Sequence, residues 1–188
     1  MSRVATREYI DKLLQLIGSE GFSGITVPTK TIVSALGYID NTQKWHSPRE
    51  HRQIAAELRR QELVTVQKTA VSIQIQLTVK GIHRIQRAQI EAIAIRTPET
   101  WDDQWRMILF DIPARKAESR YILTSQLKRL GFVMVQRSMW VHPFPCFTEV
   151  AQLVQYANLQ PFVTMAEISR IDDSSLRRLL VHYPNLRK

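Results

Sequence analysis

Residues 107–113 read MILFDIP: four apolar side chains, an acid, an isoleucine and a proline. The run is too short for a core helix, rich in branched and aromatic side chains, and closed by a residue with no N–H to give to a ladder, which makes it a buried strand that stops at Asp111. Two roles compete for that aspartate. It is either a metal-binding catalytic carboxylate or a structural cap on the turn into a helix beginning near Pro113.

Onward from this strand, ARKAESRYILTSQLKRLG (114–131) places Leu123, Leu127 and Leu130 in helical register and is closed by Gly131. FVMVQ (132–136) and SMWVHP (138–143) are two strands across a tight break at Arg137 and Ser138, CFTEVAQLVQYANL (146–159) is a helix, and FVTMAEISRI (162–171) is the last strand. SSLRRLLVHY (174–183) follows as a terminal helix capped by Ser174. The order β-α-β-β-α-β is that of a ferredoxin-like fold, in which both helices cover one face of the sheet. Yet Met107 and Leu109 oppose Ile108 and Phe110, and Phe132 and Met134 oppose Val133 and Val135, so the strands are apolar on both faces. The uncovered face needs a partner, and a second copy of the chain is the economical one, so a homodimer through the sheet or its edge is expected.

Backward from the strand, TPETWDDQ reads as a linker, with the domain boundary between about 96 and 104 because Pro98 disfavours helix at Thr97. Residues 1–96 form the other expected domain. VATREYIDKLLQLI (4–17) carries Tyr9 or Ile10, Leu13, Leu14 and Ile17 on one stripe and stops at Gly18 and Gly21, and residues 29–36 form a shorter helix before Gly37. SPREHRQIAAELRRQELV (47–64) starts with a capping box, Ser47 to Glu50, and Pro48 at the first helical position. Ile54, Ala55 and Leu58 are its apolar stripe; Arg49, Arg52, Gln53, Ala56 and Arg60 share another face. After Leu63 the period changes to two. Val64 and Val66, then Val71, Ile73, Ile75, Leu77 and Val79, alternate with polar residues in a β-hairpin with one wet face. A further helix over 82–95 offers Ile82, Ile85, Ala92 and Ile93 as its apolar edge.

Helix, helix, basic helix and hairpin, in that order, make a winged helix-turn-helix, whose third helix enters the major groove. The expected α+β chain is therefore an N-terminal winged helix-turn-helix (1–96) followed by a ferredoxin-like dimerisation domain (101–188). Charge agrees with a polyanionic partner: the 188 residues carry a net charge of +9, of which +6 lies in residues 1–97 and +3 in residues 98–188. Arg49, Arg52 and Gln53 near the helix start are the candidates for base edges, and Lys44, Arg59, Arg60 and Lys68 for phosphates.

Other chemistry is thin. There is no Gly-rich phosphate loop and no nucleophile in a recognisable setting. His142 and Cys146 fall short of a four-ligand metal site, and Trp101, Trp105 and Trp140 read as core or interface anchors. No cofactor or metal is expected. No run reaches the ~18 to 20 apolar residues of a membrane span, the first residues lack a signal-peptide pattern, and the single cysteine has no intrachain partner, so a cytoplasmic protein is expected.

WRMILFDIP, LKRLGF and VQRSMWVHPFP resemble the central domain of the PaaX family of phenylacetate-degradation transcriptional repressors, and that domain is similar to the second of the CRISPR-associated (Cas) proteins. The resemblance covers about residues 101–171; in front of it the order of elements and LTVKG (77–81) agree with the PaaX architecture. It implies a homodimeric, sequence-specific DNA-binding regulator, a repressor in kind, in a short form without the family's carboxy-terminal domain. DNA binding and dimerisation carry over; the aryl-CoA effector does not, and the identity of any small-molecule effector stays open. In the Cas relatives the aspartate matching Asp111 is associated with metal and nuclease activity, whereas PaaX-like sequences keep DIP without being nucleases. The expectation is accordingly not an enzyme, with a metal-dependent nuclease or CRISPR-related adaptor as one rival and a winged-helix protein-interaction module as another.

Overall fold

The structure, a computed structural model, describes residues 3–19, 25–27, 34–36 and 48–186. These fall into two units, Met1–Glu91 and Ala92–Lys188.

In the first unit, α1 (Arg3–Ser19) buries Tyr9, Ile10, Leu13, Leu14 and Ile17. It runs through Gly18 instead of stopping there. A Cβ at that glycine would stand 3.3 Å from the Leu77 side chain, so its smallness serves packing against the hairpin. A short strand, β1 (Ile25–Val27), comes next, which the sequence reading did not foresee; three residues are too few to show a period. Residues 34–36 are helical and bury Ala35 and Leu36, while the rest of the expected helix over 29–36, Lys44 and the Ser47 cap lie outside the described residues.

The amphipathic helix is α2 (Pro48–Arg60), with Ile54, Ala55 and Leu58 buried as their spacing requires. It ends in a Schellman arrangement: Leu63 N–H reaches the Leu58 carbonyl, Glu62 N–H reaches that of Arg59, and Glu62 takes the left-handed conformation at φ 54°. β2 (Val64–Lys68) and β3 (Ile73–Leu77) form the hairpin, and β1 adds to β3 to give a three-stranded antiparallel sheet in the order β1-β3-β2. Ile73, Ile75 and Val64 face the core, while Thr26, Thr65, Gln67 and Gln74 stand in register on the other face. Two of the expected apolar positions are corrected. Val71 is 74% exposed in the hairpin turn, and Val79 is 68% exposed because it opens α3 (Val79–Ala92). That helix thus starts and ends three residues earlier than its apolar spacing suggested; Ile85, Ile90 and Gly81 are its buried residues and Ala92 is exposed.

The second unit contains β4 (Trp105–Phe110), α4 (Ala117–Arg129), β5 (Val133–Gln136), β6 (Met139–His142), α5 (Phe147–Tyr156) and β7 (Val163–Ile168), followed by α6 (Asp173–His182). The sheet is antiparallel throughout, ordered β5-β6-β4-β7, which is the ferredoxin-like arrangement. α4 closes with a second Schellman motif, in which Gly131 at φ 89° is the residue that adopts the left-handed conformation without strain.

Two expectations fail here. The first concerns the open face. Trp105, Val133, Val135 and Val141 form one cluster with Leu179 of α6, and Leu176, Tyr183 and Trp101 pack against it. The chain's own last helix and the segment before β4 therefore occupy the face that a second copy was expected to cover. The second is the cap of α6: Asp172, not Ser174, stands at the N-cap, its carboxylate accepting from the backbone N–H groups of Ser174 and Ser175 at 3.0 Å each. Those bonds pull the Asp172 carboxyl well below the usual carboxylate range.

Candidate nucleic-acid interface

The polar face of α2 is built by subtraction. Ile54, Ala55 and Leu58 anchor the helix in the core, so Arg49, Arg52, Gln53, Ala56 and Arg59, at spacings of three and four, are turned outward and exposed. Among the described residues the side chains of Arg49, Gln53 and Arg59 have no hydrogen bond or ion pair. Arg60 differs. Its Nε and guanidinium NH2 donate to the two carboxylate oxygens of Glu57, at 2.8 and 2.5 Å, so the charge assigned to a phosphate is already matched within its own helix. The Arg60 guanidinium and the Gln61 amide draw the Glu57 carboxyl down to about 2.

Lys68 is exposed at the end of β2, opposite Ile73, next to the hairpin turn. That turn is closed by Thr69, whose N–H donates to the Ser72 carbonyl and whose Oγ1 accepts from Ser72 N–H at 3.0 Å.

What the sequence reading missed is how α2 is held. Arg84 on α3 donates from Nε to Asp11 of α1 at 2.6 Å and from NH1 to Gln61 at 2.5 Å, and Gln61 in turn donates to Glu57. The end of α2 is thereby tied to both flanking helices. A second grip comes from LTVKG: Thr78 N–H donates to the Leu63 carbonyl, the Thr78 hydroxyl donates to the Glu62 carbonyl at 2.6 Å, and Thr78 Oγ1 accepts from Gly81 N–H, capping α3. Lys80 pairs with Glu62 and lowers its carboxyl from the ordinary range. A threonine three residues before a glycine at a strand-to-helix junction was the available signal for the cap, whereas nothing local marks the Arg84 network.

Asp111 does not cap a helix. A 3-10 turn, Ala114–Lys116, follows the strand with Pro113 at its N-cap, α4 has Lys116 at its N-cap, and neither start receives a side-chain cap bond. The Asp111 N–H donates to the Phe162 carbonyl, while its side chain is exposed and has no hydrogen bond or ion pair among the described residues. The cap reading is overturned because Ile112, Pro113 and a 3-10 turn stand between Asp111 and the start of α4, which carries the carboxylate out of reach of the helix N–H groups.

His142 and Cys146 belong to the core. His142 lies against Phe132, Phe144 and Tyr183 and accepts the Phe144 N–H at Nδ1. Burial holds it at about 4 and pushes the Cys146 thiol up to about 12. Among the described residues no group of three or more His, Cys, Asp or Glu side chains could hold a metal ion, and no helix is long and apolar enough to cross a membrane.

Residues 98–180 match the family model described as the PaaX protein central Cas2-like domain. No curated protein matches the chain.

Proposed function

We propose, from the match of residues 98–180 to the central Cas2-like domain of the PaaX family, that the chain is a DNA-binding transcriptional regulator of that kind, a repressor, whose first unit is a winged helix-turn-helix. The observation that carries this reading is the outward face of α2, where Arg49, Arg52, Gln53 and Arg59 are exposed opposite a buried stripe, in a unit whose hairpin sets Lys68 beside its tip. β1 supports it further, since a third strand paired to the hairpin is the usual complement of a wing. Arg49, Arg52 and Gln53 reach base edges in the major groove; Arg59 and Lys68 meet phosphates. No catalytic role is assigned to Asp111, and the protein is proposed to act without enzymatic activity or cofactor.

A homodimer brings two copies of α2 to two half-sites about 34 Å apart or a multiple of that. With α6 on the second face of the sheet, the edge strands β5 and β7 are the surfaces left for that pairing.

Footprinting on DNA upstream of the gene, followed by gel-shift titration of variants, tests the reading. Arg49→Ala or Arg52→Ala is expected to cost about 1 to 3 kcal/mol and to relax sequence preference at one position, whereas Lys68→Ala weakens binding to all sequences and lowers the salt slope by about one. Unchanged affinity and preference in both arginine variants would remove α2 as the recognition helix.

A further inference from the structure

The charges of the second unit are sorted between the two ends of its sheet. Pairing of Arg106 with His142 and with Glu167 places the start of β4, the end of β6 and the end of β7 at one end; pairing of Leu109 with Met139 and of Phe110 with Val163 places the finish of β4 and the starts of β6 and β7 at the other. Of the nine carboxylates between Ala92 and Leu186, seven belong to the first end: Glu99, Asp102 and Asp103 lead into β4, Glu149 follows β6, Glu167 lies in β7, and Asp172 and Asp173 follow it. Only Asp111 and Glu118 belong to the other.

That second end collects cations from two separate segments. Arg115 and Lys116 occupy the 3-10 turn after β4, Arg120 stands on the first turns of α4 and Arg137 in the β5–β6 turn, whose Ser138 carbonyl accepts the Phe110 N–H at 3.0 Å. Neutral groups hold two of them. The Arg120 guanidinium lies 5.9 Å from the Phe110 ring centre, and Lys116 lies 5.7 Å from that of Phe162 while donating to the Asn158 carbonyl at 2.9 Å. None of the four is in an ion pair among the described residues. With Arg120 and Lys116 positioned by rings and a carbonyl instead of carboxylates, the four keep their charge for an outside partner.

We propose that this end of the sheet is a second nucleic-acid contact surface, in which Arg115, Lys116, Arg120 and Arg137 engage the phosphate backbone of duplex DNA. From the β5–β6 turn to the start of β7 the sheet end spans about two and a half strand spacings, roughly 12 Å, comparable with the ~12 Å width of a major groove flanked by phosphates. A duplex fits better than a single strand, which needs aromatic platforms for successive bases: Phe110 is buried, Phe162 is half-buried, and Tyr121 is the one large exposed ring beside the cations. This contact carries no sequence information and is independent of which helix reads bases.

The test uses the full chain and a salt titration on two duplexes, one carrying the footprinted sequence and one unrelated. The triple variant Arg115→Gln, Arg120→Gln and Arg137→Gln is expected to lower the slope of log affinity against log salt by between about two and three units, and affinity at low salt at least tenfold, equally on both duplexes. A control triple that removes the same charge at the acidic end, Arg96→Gln, Lys128→Gln and Arg170→Gln, is expected to change the slope by less than one unit. Equal effects from the two triples would reduce the surface to a share of net charge and overturn the proposal, as would an unchanged slope. Tighter binding of single strands than of duplex, abolished by Tyr121→Ala, would overturn the choice of duplex. Loss of sequence preference in the Arg49 and Arg52 variants reports on α2 separately, so the two readings fail independently.

Discussion

A Cβ added to Gly81 would stand 2.2 Å from the carbonyl oxygen of Leu63. The first turn of α3 is laid directly on the chain leaving α2, backbone against backbone, and the Thr78 bonds to the Glu62 and Leu63 carbonyls fix it there. No rotamer change can relieve such a clash. Gly81→Ala is therefore expected to destabilise the first unit by at least about 2 kcal/mol despite alanine's better helix propensity, while Val79→Ala, two residues away and exposed, stays within about 0.5 kcal/mol. Urea denaturation of the full chain followed by circular dichroism separates the two outcomes.

Arg84 meets two partners with two different nitrogens, and both it and Asp11 are about one-fifth exposed. A guanidinium has the fork to do this and an ammonium does not. Arg84→Lys is thus expected to lose most of what Arg84→Met loses, about 1 to 3 kcal/mol, with faster hydrogen exchange in the last turn of α2. Full rescue by lysine would show that charge, and not the shared geometry with Gln61, holds the helix end.

His142 gives the second unit an acid-side weakness. Its folded value of about 4 lies below the ordinary 6.5, so the unfolded chain takes up a proton in a range where the folded unit does not. The contribution is intact above pH 6.5 and is lost progressively as pH falls toward 4, amounting to roughly 2 to 3 kcal/mol across that window. His142→Asn, which can present Oδ1 to the Phe144 N–H, is expected to be less stable at neutral pH but to show a flatter decline between pH 6.5 and 4.5. A decline of unchanged steepness would assign the acid sensitivity to other groups.

Asp111 caps nothing, so Asp111→Ala is expected to alter stability by no more than about 0.5 kcal/mol, where a lost cap would cost about 1. Asp172→Ala is the substitution that unpins a helix, freeing α6 from its start. The same Asp111 variant serves as the control for catalysis: magnesium- or manganese-dependent cleavage of nucleic acid by the native chain, absent in the variant, would revive the nuclease.

By itself the sequence determined the elements whose information is local. Alternation in Ile73, Ile75 and Leu77, the helical spacing of Ile54 and Leu58, the left-handed exit at Gly131 and the βαββαβ order are properties of neighbours along the chain, and each is present in the structure. The outward face of α2 was legible for the same reason, since fixing the buried stripe fixes its opposite. Tertiary structure decided whatever depends on a partner distant in sequence. Arg84 reaches across 73 residues to Asp11, α6 returns to cover Trp105 and Val133, and Arg137 of the β5–β6 turn is brought to the same sheet end as Arg115, Lys116 and Arg120 by strand pairing. An apolar strand face states that it must be covered but not by what, and a carboxylate after a strand caps a helix only if the backbone turns soon enough. At Asp111 it did not, because Ile112, Pro113 and a 3-10 turn intervene before α4 can offer its N–H groups.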